Sequence, residues 1–152
     1  MKFVYLAFAA ILGLIGCAPA KADWTIVEGK WESVTVTDNI CGYYSGGYAA
    51  LVDRTLNYNE DSVELKKRAV SGAIRTLSTT DQYASFFFLA ADAGDIYKNA
   101  RNPDVINLAK ERNQTVADVL QVFSREMCQG KIGITRDIPK RAWVKPAAGI
   151  KM

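Results

Sequence analysis

The fold of this 152-residue chain is organised around one apolar stretch, Tyr83-Ala84-Ser85-Phe86-Phe87-Phe88-Leu89-Ala90-Ala91. Thr79 and Thr80 precede it and can cap a helix start, and Asp81 places a carboxylate in the first turn. Apolar side chains then recur at steps of three and four as far as Tyr97, and others occupy the remaining faces. A helix that is apolar on nearly all sides is buried among other helices. The stretch therefore predicts the central helix of a small bundle.

Four more helices are predicted around the central one. The first begins at Asp38 or Asn39, which are both good N-cap residues. The others have start signals at Asp61, Asn102 and Thr115. The second helix carries a basic triplet, Lys66 to Arg68, which we interpret as a solvated face. The last has five apolar residues at helical spacing: Val116, Val119, Leu120, Phe123 and Met127. The sequence thus predicts a mainly α domain, a bundle of four to five helices over residues 38–130.

Small residues are concentrated in the first predicted helix. Each of its glycines lowers helix propensity by about 1 kcal/mol relative to alanine, so close packing must compensate. One face is made of small or short residues: Gly42, Ser45, Gly46, Ala49 and Asp53. Such a face allows a neighbouring backbone to approach closely. A phosphate-binding glycine loop does not fit, because the lysine and the Ser/Thr of that motif are missing.

Residues 1–22 have the pattern of an export signal. Lys2 supplies the positive charge, and thirteen uncharged residues follow from Phe3 to Ile15. This run is shorter than the roughly 18–20 residues that a bilayer-spanning helix needs. We therefore expect an exported protein rather than one with a permanent transmembrane anchor.

Two processing sites remain open. Ala20-Lys21-Ala22 has the small residues of ordinary cleavage, which would release a mature chain beginning at Asp23. Leu14-Ile15-Gly16-Cys17 resembles the lipobox of bacterial lipoproteins, and this resemblance implies a lipid on Cys17. The expected location is the periplasm in the first case and the membrane surface in the second.

Two cysteines remain in either mature form, Cys41 and Cys128. An even pair in an oxidising compartment predicts a disulfide, although two buried free thiols are the alternative. The bond would join the start of the first helix to the end of the last one.

Residues 23–37 and 131–152 flank the bundle. Val34 and Val36 alternate with threonines, which predicts an extended segment, a hairpin between Ile26 and Val34, or a tether. The region 131–152 is a basic tail interrupted by Pro139 and Pro146. It carries a net charge of +5, whereas residues 23–130 carry −4. Four of its residues are candidates for contact with an anionic lipid surface or an acidic partner, the alternative being a solvated tail: Lys140, Arg141, Trp143 and Lys145.

The sequence offers few catalytic arrangements. It has no histidine, which removes the commonest general base and most catalytic zinc sites. The mature cysteines have no Cys-x-x-Cys spacing, so a thioredoxin-like role has no support. No metal site and no cofactor are predicted. Paired carboxylates remain as an alternative, with Asp92 or Asp95 acting together with Glu60 or Glu64 in a small cell-wall hydrolase.

These observations favour a non-catalytic protein of the bacterial cell envelope. We expect a protein-binding module with an unidentified protein partner, or a structural lipoprotein, and no nucleic-acid partner. The general form, a small exported helical chain with one long-range disulfide, resembles periplasmic immunity proteins and small acid-stress chaperones. That resemblance implies a role in binding other proteins.

Overall fold

A computed structural model describes residues 24–26, 31–75, 79–140 and 144–146, and it confirms a mainly helical bundle. Four short strands flank the helices: β1 Trp24–Ile26, β2 Trp31–Thr35, β3 Thr135–Pro139 and β4 Val144–Pro146. The described residues form six helices: α1 Asp38–Tyr58, α2 Ser62–Arg75, α3 Thr80–Ala91, α4 Ala93–Ala100, α5 Pro103–Glu111 and α6 Val116–Gln129.

The predicted helix starts are present, with one shift. The N-cap of α1 is Thr37, one residue before the predicted Asp38, and its side chain accepts a hydrogen bond from the Ile40 amide at 3.2 Å. Thr115 and Asp118 form a reciprocal capping box at the start of α6. These caps satisfy amide groups that a helix terminus leaves without partners.

The number of helices rises to six because the long aromatic helix divides at Asp92. Its backbone leaves the helical region, with φ −93° and ψ 5°. The Asp92 amide still bonds to the Phe88 carbonyl at 3.0 Å, and the Ile96 amide bonds back to Asp92 at 2.9 Å. The division is therefore a bend between α3 and α4 that keeps both segments in the core.

Helix α3 is the centre of the bundle, as predicted. Tyr83 and Leu89 are each 1 % exposed, and α3 packs against both α1 and α2. The core also takes a large buried residue from most of the other elements: Ile40, Tyr48, Leu65, Ile96, Leu120 and Ile138.

The predicted disulfide between Cys41 and Cys128 is present, with an S–S distance of 2.03 Å and Cα atoms 5.4 Å apart. Both cysteines are buried, and the bond ties the first turn of α1 to the last turn of α6. Asp38 adds polar contacts at the same place, to Arg125 at 3.4 Å and to Gln129 at 2.9 Å.

The flanking segments pair with each other rather than within themselves. The N-terminal part is extended, but β1 pairs with β4 and β2 pairs with β3, both antiparallel, so the hairpin alternative is wrong. The first part of the predicted tail belongs to the domain, because Ile138 is buried and the Tyr83 hydroxyl donates to the Pro139 carbonyl at 2.8 Å. Strands near the two ends of the chain pair with each other. Their backbone amide and carbonyl groups therefore bond within the protein, whereas those of a free tail would bond to water.

The small-residue face of α1 is only partly a packing surface. A Cβ atom at Gly46 would meet nothing within 4 Å, so no backbone approaches there and that part of the prediction is wrong. The close contact lies at the neighbouring Gly47, where a Cβ atom would come within 2.4 Å of Leu89 Cδ1.

Candidate functional site

A surface groove follows the C-terminal half of α3, and we call it the α3 groove. Its wide part encloses about 600 Å³ between α2, from Ser62 to Val70, and the α3–α4 junction, from Ala90 to Gly94. Its narrow part, of about 230 Å³, continues towards Trp31 of β2 and residues 136–139 of β3. The two parts share lining residues on α2 and α3, so they form one continuous depression.

The lining of the α3 groove is mostly apolar in its narrow part and about equally polar and apolar in its wide part. Val70, Phe87, Phe88 and Ile138 are buried and contribute only small surfaces to its narrow part. The wide part is bordered on one side by Ala90, Ala91, Ala93 and Gly94, which project little above the helix backbone. A concave, mostly apolar surface with a few polar groups is the usual form of a binding site.

Two cations flank the α3 groove. Lys66 extends from α2, and Arg136 extends from β3 with its guanidinium carbon 4.4 Å from the centre of the Phe88 ring. Neither forms a salt bridge with any residue that the structure describes. The adjacent acid, Asp137, accepts a hydrogen bond from the Ser33 hydroxyl at 2.7 Å. The groove therefore offers positive charge beside an apolar lining.

A small cleft adjoins the narrow part, because Phe88 and Arg136 line both. It encloses about 20 Å³, room for about one water molecule. The Tyr44 hydroxyl donates to Asp92 Oδ2 at 2.8 Å at its edge. Burial raises the pKa of Tyr44 well above its usual value, and the Asp92 carboxylate raises it further. Tyr44 is therefore protonated at neutral pH and acts as a donor that fixes the bend at Asp92.

The four acids of the hydrolase alternative have separate local partners. Asp92 accepts from Tyr44, and Asp95 is exposed with Lys98 Nζ 3.9 Å away. Glu64 lies 3.6 Å from Lys67 on α2. Within the described ranges, no three acids or cysteines come together as a metal would require. These acids form local ion pairs and hydrogen bonds, which are commoner roles than catalysis.

Glu60 is held by two arginines. The Arg54 guanidinium donates to Glu60 Oε1 at 2.8 Å and 3.1 Å, and Arg68 donates to both carboxylate oxygens. Hydrogen bonds from Arg68, followed by those from Arg54, lower the pKa of Glu60 from 4.5 to about 2. Glu60 is thus ionised at neutral pH and links the end of α1 to α2.

We expect Glu60→Gln to lower the free energy of unfolding by about 1 kcal/mol at pH 7, since the pairs are partly exposed and screened. The pKa of Glu60 is lower in the folded chain, so its contribution is complete above about pH 4.5. It is lost as the pH falls towards 2.

Urea denaturation of both proteins at pH 7 and pH 2.5 measures this change. Glu111→Gln, in the exposed last turn of α5, is the matched control and should change little. A deficit of equal size at both pH values would contradict the assignment.

The structure brings together few of the residues singled out in the sequence. Cys41 and Cys128 form their bond. Lys140 is exposed after β3, and Lys145 lies in β4 opposite Thr25. Cys17, Arg141 and Trp143 lie outside the described residues, so lipidation and the interaction tail stay predictions.

Sequence reasoning missed the α3 groove. Lys66 is on the solvated side of α2, as interpreted, but it also flanks the groove, and Arg136 comes from the segment interpreted as a tail. One signal was available. The central helix changes from bulky aromatics to Ala90, Ala91, Ala93 and Gly94, and small residues on a helix surface leave room for another molecule.

No protein-family model, no curated protein and no solved structure matches this chain. None of the helices in the described ranges is both long enough and apolar enough to cross a bilayer.

Proposed function

We propose that this protein is a non-catalytic, exported binding module of the bacterial cell envelope, and that the α3 groove binds an acidic amphipathic helix of a protein partner. Export is supported by the pattern of residues 1–22 and by the long-range disulfide, a bond typical of oxidising compartments. The mature form begins at a lipidated Cys17 or at Asp23.

The observation that carries the proposal is the mostly apolar narrow part of the groove, flanked by Lys66 and Arg136, two cations that form no salt bridge with any residue in the described ranges. Apolar side chains of a ligand would gain about 25 cal/mol for each Å² removed from water. Acidic side chains flanking that apolar face would pair with the two cations. Complementary charge of this kind selects among apolar ligands and speeds association.

The walls of the wide part favour a helical ligand. They are helices α2 and α3, whose backbone groups bond within each helix, so an extended peptide would find few backbone partners there. A helix satisfies its own backbone, and it docks through an apolar stripe in grooves of this type. The small side chains from Ala90 to Gly94 let its backbone approach closely.

The local chemistry supports binding rather than catalysis. The chain has no histidine, Tyr44 is held protonated and Glu60 is committed to two arginines. The acidic body and the two cations of the groove give the surface strong local charge contrast, which suits recognition of charged partners.

A selection from a random library of displayed 16-residue peptides tests the proposal on the disulfide-bonded chain from Asp23. We expect clones that bind this chain and fail to bind Ala91→Trp, because an indole at this exposed position fills the groove. Ala50→Trp places the same group on an exposed position of α1 and should leave binding unchanged. The selected peptides should carry Asp or Glu beside an apolar stripe of helical period.

Charge-reversal variants separate the contribution of the two cations to binding from that of the apolar lining. Lys66→Glu combined with Arg136→Glu should weaken the selected peptides about tenfold or more, as expected for the loss of two charge pairs. Lys110→Glu, an exposed change on α5, should have an effect below about twofold. The proposal is wrong if no clone distinguishes Ala91→Trp from Ala50→Trp, or if the clones that do so lack acidic residues.

A further inference from the structure

We infer that the narrow part of the α3 groove binds one aromatic side chain of the partner beside Trp31, and that a carboxylate three or four residues away along the ligand helix pairs with Arg136. We call that aromatic side chain the anchor. The inference rests on the proposed function and adds to it the residue type and the spacing by which the partner is recognised.

The narrow part has the size of one aromatic side chain. It encloses about 230 Å³. An apolar cavity of about 150 Å³ already holds a benzene molecule, and pockets for drug-sized ligands enclose about 300–1,000 Å³. One or two rings therefore fit, and a larger ligand must continue into the wide part. Buried apolar side chains from α2, α3 and β3 line the space: Val70, Phe87, Phe88 and Ile138.

Trp31 gives the narrow part a preference for aromatic ligands over aliphatic ones. Its side chain is 50 % exposed and lines this space. Its position in β2 is fixed, because Trp31 pairs with Pro139 of β3 and the Ser33 hydroxyl bonds to Asp137 in the same ladder. Aromatic rings gain from stacking in addition to burial, and tryptophan is enriched in the hot spots of interfaces. A ring beside Trp31 should therefore bind more tightly than an aliphatic group.

Arg136 gives the same space a preference for a carboxylate. Its guanidinium carbon lies 4.4 Å from the centre of the Phe88 ring, and Phe88 is itself buried. This cation–π contact orients the planar guanidinium beside the narrow part. A guanidinium binds a carboxylate through two parallel N–H bonds, so an acid of the ligand has a defined partner there.

Two acids of the protein adjoin Arg136, and neither pairs with it. Asp137 lines the narrow part and accepts a hydrogen bond from Ser33 at 2.7 Å. Asp92 lines the adjoining cleft and accepts from Tyr44 at 2.8 Å. No salt bridge joins either acid to Arg136 in the described part of the chain. Because two cations and one acid line the narrow part within the described ranges, its lining favours an anion.

The two parts of the groove define the spacing between the anchor and the carboxylate. They share four lining residues, so a helix that lies over them in the wide part can place one side chain in the narrow part: Lys66, Val70, Ala90 and Ala91. Residues three or four apart share a helix face, with about 5–6 Å between their Cβ atoms. An acid at that distance from the anchor can reach Arg136, because Arg136 and Trp31 line the same narrow part.

Titration with indole-3-propionate, which joins an aromatic ring to a carboxylate, tests the inference on the disulfide-bonded chain from Asp23. The amide NMR signals of residues 87–91 and 136–138 report binding in the narrow part. We expect a Kd of about 1 mM, as ligands of this size allow. The uncharged indole-3-propionamide should bind about tenfold more weakly, and hexanoate, which lacks the ring, about threefold to tenfold more weakly.

Two variants separate the ring from the charge. Trp31→Ala should weaken indole-3-propionate about fivefold and remove its advantage over hexanoate. Arg136→Gln should weaken indole-3-propionate about tenfold and leave indole-3-propionamide unchanged, a difference that a general loss of structure would not produce. Tyr58→Ala, at an exposed aromatic position of α1, and Lys110→Gln on α5 are the matched controls and should bind as the parent does.

The peptides selected on the α3 groove give a second readout. Each should carry Trp, Phe or Tyr three or four residues from Asp or Glu. Replacing that aromatic residue by Leu should weaken binding to the parent about fivefold, and binding to the Trp31→Ala variant by less than about twofold.

The inference is overturned if indole-3-propionate does not bind, if hexanoate binds as tightly, or if Trp31→Ala leaves the affinity for the indole acid unchanged. Peptides that bind the groove without such an anchor would also overturn it, and they would leave the proposed function standing. Failure of the peptide selection while the indole acid still binds would instead overturn the helical partner, and the narrow part would then be a site for a small aromatic acid.

Discussion

Replacing both cysteines by alanine, Cys41→Ala with Cys128→Ala, should lower the free energy of unfolding by about 4–5 kcal/mol. The bond closes a loop with a sequence separation of 87 residues, and loops of that size give this value in the chain-entropy description. Domains of this size have total stabilities of about 5–15 kcal/mol, so the variant should be close to unfolding at 37 °C. Alanine is chosen because a serine hydroxyl would be buried at both positions.

Urea denaturation with and without reductant measures this loss and contains its own control. Reduction should destabilise the parent chain by nearly the same amount and leave the double variant unchanged. The single variant Cys41→Ala also lacks the bond. Its stability relative to the reduced parent therefore reports the cost of the lost side-chain packing. A double variant within about 1 kcal/mol of the oxidised parent would show that the helices hold these two termini together without the bond.

Two neighbouring glycines of α1 should respond to alanine with opposite signs. Gly46→Ala adds a methyl group that meets nothing within 4 Å, so it should stabilise the protein by about 0.5–1 kcal/mol through helix propensity. Gly47→Ala places its methyl 2.4 Å from Leu89 Cδ1. Because Leu89 is buried at the centre of the bundle, the overlap forces it to move, at a net cost of about 1–2 kcal/mol.

Thermal denaturation of the two variants, side by side, measures the difference of about 1.5–3 kcal/mol. The parent chain is the common reference, and both substitutions change the same number of atoms in the same helix. Equal stabilisation by both would mean that Leu89 has space to turn aside, and the packing of α1 on α3 would then be looser than described.

The local features of the fold were predictable because each depends on a few neighbouring residues. Capping residues, helical periodicity and an even pair of cysteines all act over short stretches, and they agree with one another along the chain. Thr115 shows this well, since the residue that predicts the start of α6 forms the capping box there with Asp118.

The strand pairing and the α3 groove were not predictable, because they depend on residues far apart in sequence. Ser33 and Asp137 form a hydrogen bond across 104 residues, and nothing in either short segment indicates the other. The groove needs Trp31, Lys66 and Arg136 on three different elements. Their juxtaposition follows from packing of the whole domain.

The periodic face of α6 shows a second limit. Val119 and Leu120 are buried, as the pattern indicates, whereas Phe123 and Met127 from the same pattern are 49 % and 42 % exposed. Periodicity defines which side chains share a face of a helix and does not define what covers that face. The domain covers only part of that face, and Phe123 and Met127 lie in the uncovered part.

The most direct test of the proposed binding role is site-specific photo-crosslinking in the living cell. A photoreactive amino acid replaces Ala91 beside the α3 groove, or Ala50 on α1 as the matched position outside it, in the full chain with its export signal. We expect a discrete adduct from position 91, absent from position 50, in which the crosslinked partner peptide is amphipathic and acidic. Adding Lys66→Glu and Arg136→Glu should reduce the yield of this adduct about tenfold or more. Equal adducts from both positions, or a partner segment without acidic residues, would contradict the account.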